Sequence, residues 1–320
     1  MNYTEYFKKI DAEIKKADSI VILRHESPDP DAIGSQVGLR EIIRATYPEK
    51  TVYLLGEMPS SLTYIGEMDE IIQEQFDASL VIVLDCANTP RIDCPFEVDP
   101  SKVIKIDHHP DRDVYGAISF VDTDSSSTSE MLCRFAFDAE STWTMSKEAA
   151  NALYAGIVGD TGRFLYPSTT TITFSMVSKL LEYDVDISGI AYQMITNPVS
   201  VSRLAGYIYQ NMEISDNGVA ATILTQEHLK TYGIEEDQTH GVISLPSTVE
   251  GIHCWGLFVE QPDGTYRVNL RSKGPIVNTI AQNHGGGGHP LASGAVVSTL
   301  DEVQQIVSEL NDSAKEFLNK

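Results

Sequence analysis

The chain has 320 residues, 42% of them hydrophobic, which suits two globular domains with cores of their own and excludes a disordered chain. Lys and Arg number 23 against 46 Asp and Glu, a formal charge of −23. So acidic a chain lacks the basic face that long nucleic acid requires, but small anionic substrates remain open to it if local metal ions and a few basic residues supply the field. No apolar run approaches the ~18 residues of a membrane helix. The N-terminal MNYTEYFKKIDAEIKKADS reads as an amphipathic helix without a signal core, so a cytoplasmic protein with no membrane partner is expected. Cys86, Cys94, Cys133 and Cys254 show no CxxC spacing and read as buried or idle thiols.

In chain order, the apolar run Ser19–Leu23 (SIVIL) predicts a buried parallel strand. His25, Asp29 and Asp31 follow at once. Pro28 and Pro30 predict an extended or turned segment, with the carboxylates of Asp29 and Asp31 on one side of it. The same residues also suit an ordinary turn, with Asp31 capping a helix from about Ala32 to Ala45. Thr51–Leu55 is a second predicted strand, Ser79–Leu84 a third ending in Asp85, and Lys102–Ile106 a fourth running into Asp107, His108 and His109. Ser127-x-x-Glu130 is a capping-box pattern opening a helix, and another helix over roughly Lys147–Val158 ends at Gly159-Asp160. Strands alternating with helices predict an α/β fold with a mostly parallel, doubly wound sheet. Ligands of such sheets sit beyond the carboxyl ends of the strands, where His25, Asp85 and His108 all fall.

After Asp186 the texture changes. Residues 187–205 read as a helical connector broken at Asn197-Pro198, between a first domain of residues 1–186 and a smaller α/β domain of residues 206–320. In the second, strands are predicted at Gly218–Thr225, His253–Glu260, Tyr266–Ser272 and Gly294–Val297, with helices near Gln226–Tyr232 and from Leu300 onward.

Four converging aspartates (Asp29, Asp31, Asp85, Asp160) would repel one another severely without cations. Two divalent metals would remove that problem, and a carboxylate-rich set completed by histidines suits Mn²⁺ better than a hard Ca²⁺ cage. Asp85, following the central strand, is expected to bridge the two ions. In the second half, the glycines of Gly285–Gly288 let backbone N–H groups approach a phosphate, and Arg271, Lys273 and His289 flank them, an expected anchor for a terminal phosphate.

The motifs HxxPDxDAxGS from His25, VLDCAN from Val83, DHH from Asp107 and GIVGDTGRF from Gly156 resemble, in order and spacing, the four motifs of the DHH phosphoesterase superfamily. RSKG at Arg271–Gly274 and GGGGHPLASGA at Gly285–Ala295 are similar to the DHHA1 substrate domain, so the resemblance spans nearly the whole chain. Within the superfamily it points to the stand-alone nanoRNase/pAp phosphatase group. The resemblance implies an active site in an interdomain cleft, with one metal held by His25, Asp29 and Asp85 and a second by Asp31, Asp85, His108 and Asp160. His109 would contact the scissile phosphate and Asp107 would orient the histidine pair. Arg271, Lys273, Gly286, Gly287, Gly288, His289 and Ser293 would bind substrate. This chain has four glycines where the family pattern has three before the histidine, read here as a longer loop.

The implied activity is hydrolysis of very short oligoribonucleotides to 5′-mononucleotides and of 3′-phosphoadenosine 5′-phosphate (pAp) to AMP. Hydrolysis of linear pApA or cyclic di-AMP shares every motif and is the alternative within enzymes. A non-catalytic nucleotide-sensing module would need a damaged metal set, whereas every candidate ligand is present. The oligomeric state stays open, a homodimer being one form.

Overall fold

The computed structural model describes residues 2–111 and 113–319, Asp237 by its backbone alone. The chain divides between Ile195 and Thr196 into two compact units.

The first unit opens with helix α1 (Tyr3–Lys16) and strand β1 (Ser19–Leu23), followed by α2 (Pro30–Thr46), β2 (Thr51–Leu54) and the short α3 (Gln73–Asp77). Strands β3 (Leu80–Leu84), β4 (Ile104–Asp107) and β5 (Ile118–Val121) come next, then α4 (Thr128–Ala136), α5 (Lys147–Asp160), α6 (Thr171–Leu180) and α7 (Ile187–Ile195). The strands form one sheet in the order β2-β1-β3-β4-β5, parallel throughout, with Val21 beside Tyr53 on one side and Val81 on the other. Strand order reverses between β1 and β3, which makes their carboxyl ends the switch point where open α/β sheets bind ligands. β5, absent from the sequence-based expectation, is a short edge strand (ISFV) with one fully buried side chain, Phe120.

Because the strands are buried on both faces, they read as apolar runs. Ile20, Ile22, Ile82, Leu84, Ile104 and Ile106 pack against apolar residues of α1, α2, α4 and α5. Val21, Leu23, Val83 and Val103 face the other way, toward Phe76, Cys86 and Tyr115. Of the segment predicted as extended or turned, Asp29 is extended, but Pro30 and Asp31 already belong to α2. Pro30 occupies the first turn of α2, where a missing N–H costs nothing. Asp29 rather than Asp31 is the cap, its Oδ1 accepting from the backbone of Asp31 (3.0 Å) and Ala32 (2.9 Å).

The second unit comprises α8 (Val199–Asn211), β6 (Glu213–Ile214), β7 (Val219–Leu224), α9 (Gln226–Tyr232), β8 (Cys254–Glu260) and β9 (Tyr266–Ser272). It continues through α10 (Asn278–Asn283), β10 (Gly287–His289), β11 (Ala292–Val297) and α11 (Leu300–Leu318). Its sheet runs β10-β11-β9-β8-β7-β6, antiparallel except for the β7–β8 pair. Val303, Ile306 and Leu310 of α11 cover one face over Val268 and Leu270, while α8 and α9 cover the other over Leu257 and Val259. The 187–205 stretch is two helices, α7 in the first unit and α8 in the second. Among the described residues no helix is long and apolar enough to cross a membrane.

Candidate active site

Five strand and helix ends deliver the predicted ligands of the first unit to one place. His25 follows β1, Asp29 and Asp31 open α2, Asp85 follows β3, His108 and His109 follow β4, and Asp160 ends α5. Asp85 has a left-handed backbone (φ +53), a strain that persists only where the surroundings dictate it; its N–H donates to Ile106 O at 3.0 Å. Its two carboxylate oxygens face different partners. Oδ2 lies 3.5 Å from His25 Nε2, which is also 3.9 Å from Asp29 Oδ2. Oδ1 lies 3.5 Å from His108 Nε2, which is 3.0 Å from Asp160 Oδ2. The donor atoms of His25, Asp29 and Asp85 lie mutually within 4.8 Å, as do those of Asp31, His108 and Asp160, and those of Asp85, His108 and His109. The residues named from the sequence thus lie close together, although Asp85 groups with His25 and Asp29 and with the two histidines, and the Asp31, His108 and Asp160 group does not include it.

The site is prepared for cations. Burial, then the charges of Asp85 and Asp160, push Asp31 well above the ordinary carboxylate range and raise Asp29 to about 6. Burial also opposes ionisation of Asp85, but the adjacent imidazoles of His109 and His25 and the charge of His108 outweigh it and hold this carboxyl well below the usual range. For the histidines burial works against charge and the carboxylates overcome it. Asp160 and Asp85 raise His108 to about 9; Asp107 and Asp85 raise His109 to about 11. Asp85 Oδ2 and His108 Nε2 are buried and complete no hydrogen bond, the latter misdirected despite its closeness to Asp160. Buried carboxylates and imidazoles with unsatisfied donor atoms fit two divalent ions as the donors of each group.

Surrounding groups fix the ligands. His25 Nδ1 lies 2.8 Å from Glu26 O; donating there leaves the Nε2 lone pair open to a metal ion. Asp107 Oδ1 accepts from the His109 backbone N–H (3.0 Å) and lies 3.0 Å from its ring Nδ1, a contact with one member of the histidine pair. The fully buried Asp31 takes two N–H groups at the start of α4, from Thr128 (2.7 Å, to Oδ2) and Ser129 (2.9 Å, to Oδ1). The positive end of that helix favours the carboxylate. The Thr128 hydroxyl donates to Asp85 Oδ1 at 3.1 Å.

Close helix packing sets the distance between the Asp31 and Asp160 elements. A Cβ on Gly34 would sit 2.5 Å from Ala152 O, and one on Gly156 would sit 2.1 Å from Ser129 Oγ and 2.8 Å from Asp31 Oδ1. One on Gly159 would meet the Pro30 ring at 2.7 Å. The glycines of the AIGS and GIVGD motifs are therefore spacers that let α2 and α5 touch.

Sequence reasoning missed Thr128 and Ser129, which sit in a plain Ser/Thr tract, and Arg24 and Lys105. Arg24, fully buried, bonds Asp93, the Glu57 carbonyl and His25 O (2.9 Å), holding the end of β1. Its signal was a charged residue directly after an apolar strand; for Lys105 it was a charge inside one.

In the second unit Arg271 is the penultimate residue of β9, its Nη1 donating to Leu270 O at 2.9 Å, and Lys273 Nζ donates to Val249 O at 3.2 Å. The glycine tract is not a longer loop. Gly285 (φ +73) terminates α10: its N–H donates to Gln282 O (3.1 Å) and that of Gly286 to Ala281 O (2.8 Å), a Schellman stop. Gly287, Gly288 and His289 form β10 against β11. Ser293, an expected substrate contact, is buried and donates its hydroxyl to His289 O at 2.7 Å, which makes it a brace for this strand.

Residues 19–157 match the DHH family, N-terminal domain, and residues 215–316 the DHHA1 domain. A Streptococcus mutans protein called a probable bifunctional oligoribonuclease and PAP phosphatase is 47% identical over 309 residues, covering 97% of this chain and 99% of its own. A Bacillus subtilis bifunctional oligoribonuclease and PAP phosphatase is 41% identical, covering 93% and 96%. Among solved structures, an exopolyphosphatase-related protein from Bacteroides fragilis superposes with a TM-score of 0.87 at 26% identity, covering 99% of this chain and 98% of that one. With relatives this similar over their whole length, and with the motif residues gathered at the sheet's switch point, the chain belongs to the DHH/DHHA1 phosphoesterase superfamily.

Proposed function

We propose that this protein is a two-metal phosphoesterase that cleaves very short oligoribonucleotides to 5′-mononucleotides and removes the 3′-phosphate of pAp, with Mn²⁺ as its metal. The observation that carries the reading is Asp85: one oxygen faces His25, which groups with Asp29, and the other faces His108 and His109. That division supports a bridging carboxylate between one ion held by His25, Asp29 and Asp85 and another held by Asp31, Asp85, His108 and Asp160. The Streptococcus and Bacillus relatives, named for both activities, support the substrate class. When bound, the two ions supply Lewis-acid charge to the phosphoryl oxygens and acidify the attacking water. Asp107, by engaging Nδ1 of His109, leaves Nε2 as the ring atom that hydrogen-bonds the scissile phosphate as charge builds on it. Arg271, Lys273 and His289, with the backbone of Gly286–Gly288, hold the substrate's terminal phosphate.

The test is turnover by purified protein with Mn²⁺ on pAp, pApA, cyclic di-AMP, pyrophosphate and RNA of two to twenty nucleotides. Hydrolysis of pAp and dinucleotides, with efficiency falling steeply as length grows, is expected. Preference for cyclic di-AMP would replace the substrate assignment, and absence of any metal-dependent hydrolysis would end the phosphoesterase reading.

A further inference from the structure

Strand β4 reads Ile104-Lys105-Ile106-Asp107. Alternation sends the two isoleucines into the helix-covered core and Lys105 and Asp107 to the opposite face. That face is otherwise lined by Val21, Leu23, Val83, Val103 and Tyr115. The Lys105 side chain has no exposure at all. Its ammonium lies 2.7 Å from Asp111 Oδ1, 3.5 Å from Asp107 Oδ2 and 3.4 Å from Ala87 O, and 4.5 Å from the centre of the Tyr115 ring. The Tyr115 hydroxyl donates to Cys86 O at 2.7 Å.

A buried ion pair is a poor device for stability alone, since apolar residues of the same shape serve as well or better. This one links two functional segments. Ala87 belongs to the turn carrying Asp85, and Asp111 to the loop carrying His108 and His109. Asp107 joins them. Its Oδ1 is committed to His109, while its Oδ2 is buried without a hydrogen bond, so the Lys105 charge is what compensates that oxygen. We infer that Lys105 is a positioning residue of the active centre, fixing the Asp107 carboxylate and through it the ring of His109. The inference rests on the phosphoesterase reading for its kinetic consequence, though not for its structural one.

Lys105→Met keeps an unbranched side chain one atom shorter and removes the charge. Wild type, Lys105→Met, Asp107→Asn and the double variant would be compared on a dinucleotide with Mn²⁺, with metal content measured on each. The metal ligands being untouched, Lys105→Met should keep its metal content and a KM within about threefold of wild type. Its kcat should fall by about 10²-fold, the scale of a misplaced proton-handling or charge-stabilising group. In the double variant kcat should equal that of Asp107→Asn, because both act along one path. In the metal-free protein the imidazole ¹⁵N signals of His109 should move in Lys105→Met, a readout that needs no turnover. Wild-type kcat in Lys105→Met, losses that multiply in the double variant, or unmoved His109 signals would each overturn the inference. If wild type hydrolyses no dinucleotide, the phosphoesterase reading fails and the His109 signals alone decide on Lys105. If Lys105→Met does not fold, the double variant, with its buried pair removed together, is compared with Asp107→Asn: equal kcat supports the inference and a further loss overturns it.

Discussion

Replacing Asp85 by Ala takes one carboxylate from both ligand groups at once. Metal analysis on that variant should find binding weakened at both positions and activity abolished, whereas Asp29→Ala should weaken one position more than the other. Two tightly held ions and normal turnover in Asp85→Ala would refute the bridging role. Proton competition gives a second expectation. His108, raised to about 9 by Asp160 and Asp85, is protonated at neutral pH in the metal-free protein, and Asp31 is pushed well above its usual range. Binding must expel the His108 proton, so affinity for Mn²⁺ should weaken as pH falls, by about tenfold per pH unit for each proton displaced. Calorimetry at pH 7 in buffers of different ionisation heat should report net proton release; zero release would contradict the raised His108.

Helix contacts explain why some of the site was visible in the sequence and some was not. Ligands at strand ends were legible because apolar runs mark their strands, and the chemistry follows where each run stops. The role of Asp29 as cap was not, because Pro30 signals equally an extended segment and a first helical turn. Gly285 was misread because a glycine tract does not announce which of its members stops a helix. The burial of Ser293 was not legible, because only the register of β11 turns it to the covered face of the sheet. Two glycines separate packing from conformation. Gly156→Ala drives a methyl into Ser129 Oγ and the Asp31 carboxylate, so it should cost about 1–3 kcal/mol and weaken metal binding together. Gly285→Ala meets no atom within 4 Å but must hold φ +73, so it should cost about 1 kcal/mol in thermal or urea unfolding and leave metal affinity unchanged.

At the scale of the molecule, a formal charge of −23 leaves few places for a polyanion to rest. Efficiency on RNA should therefore drop steeply beyond a few nucleotides; equal kcat/KM for a dimer and a twenty-mer at moderate salt would contradict it. Arg271→Ala should raise KM on a 5′-phosphorylated dinucleotide, by about 1.5–3 kcal/mol for a lost charge-assisted hydrogen bond, and change little on its unphosphorylated analogue.

The ligand groups are also far apart along the chain, running from His25 to Asp160 through three parallel strands and the last turn of α5. Joining such distant points costs chain entropy before any ligand bond can offset it, and the burial of the parallel sheet, not the ions, must bear that cost. A chain emerging from the ribosome thus has no complete grip on a metal until Asp160 has been made and α5 has docked. Mn²⁺ and EDTA should give the same refolding rate for the protein, while Mn²⁺ should slow its unfolding.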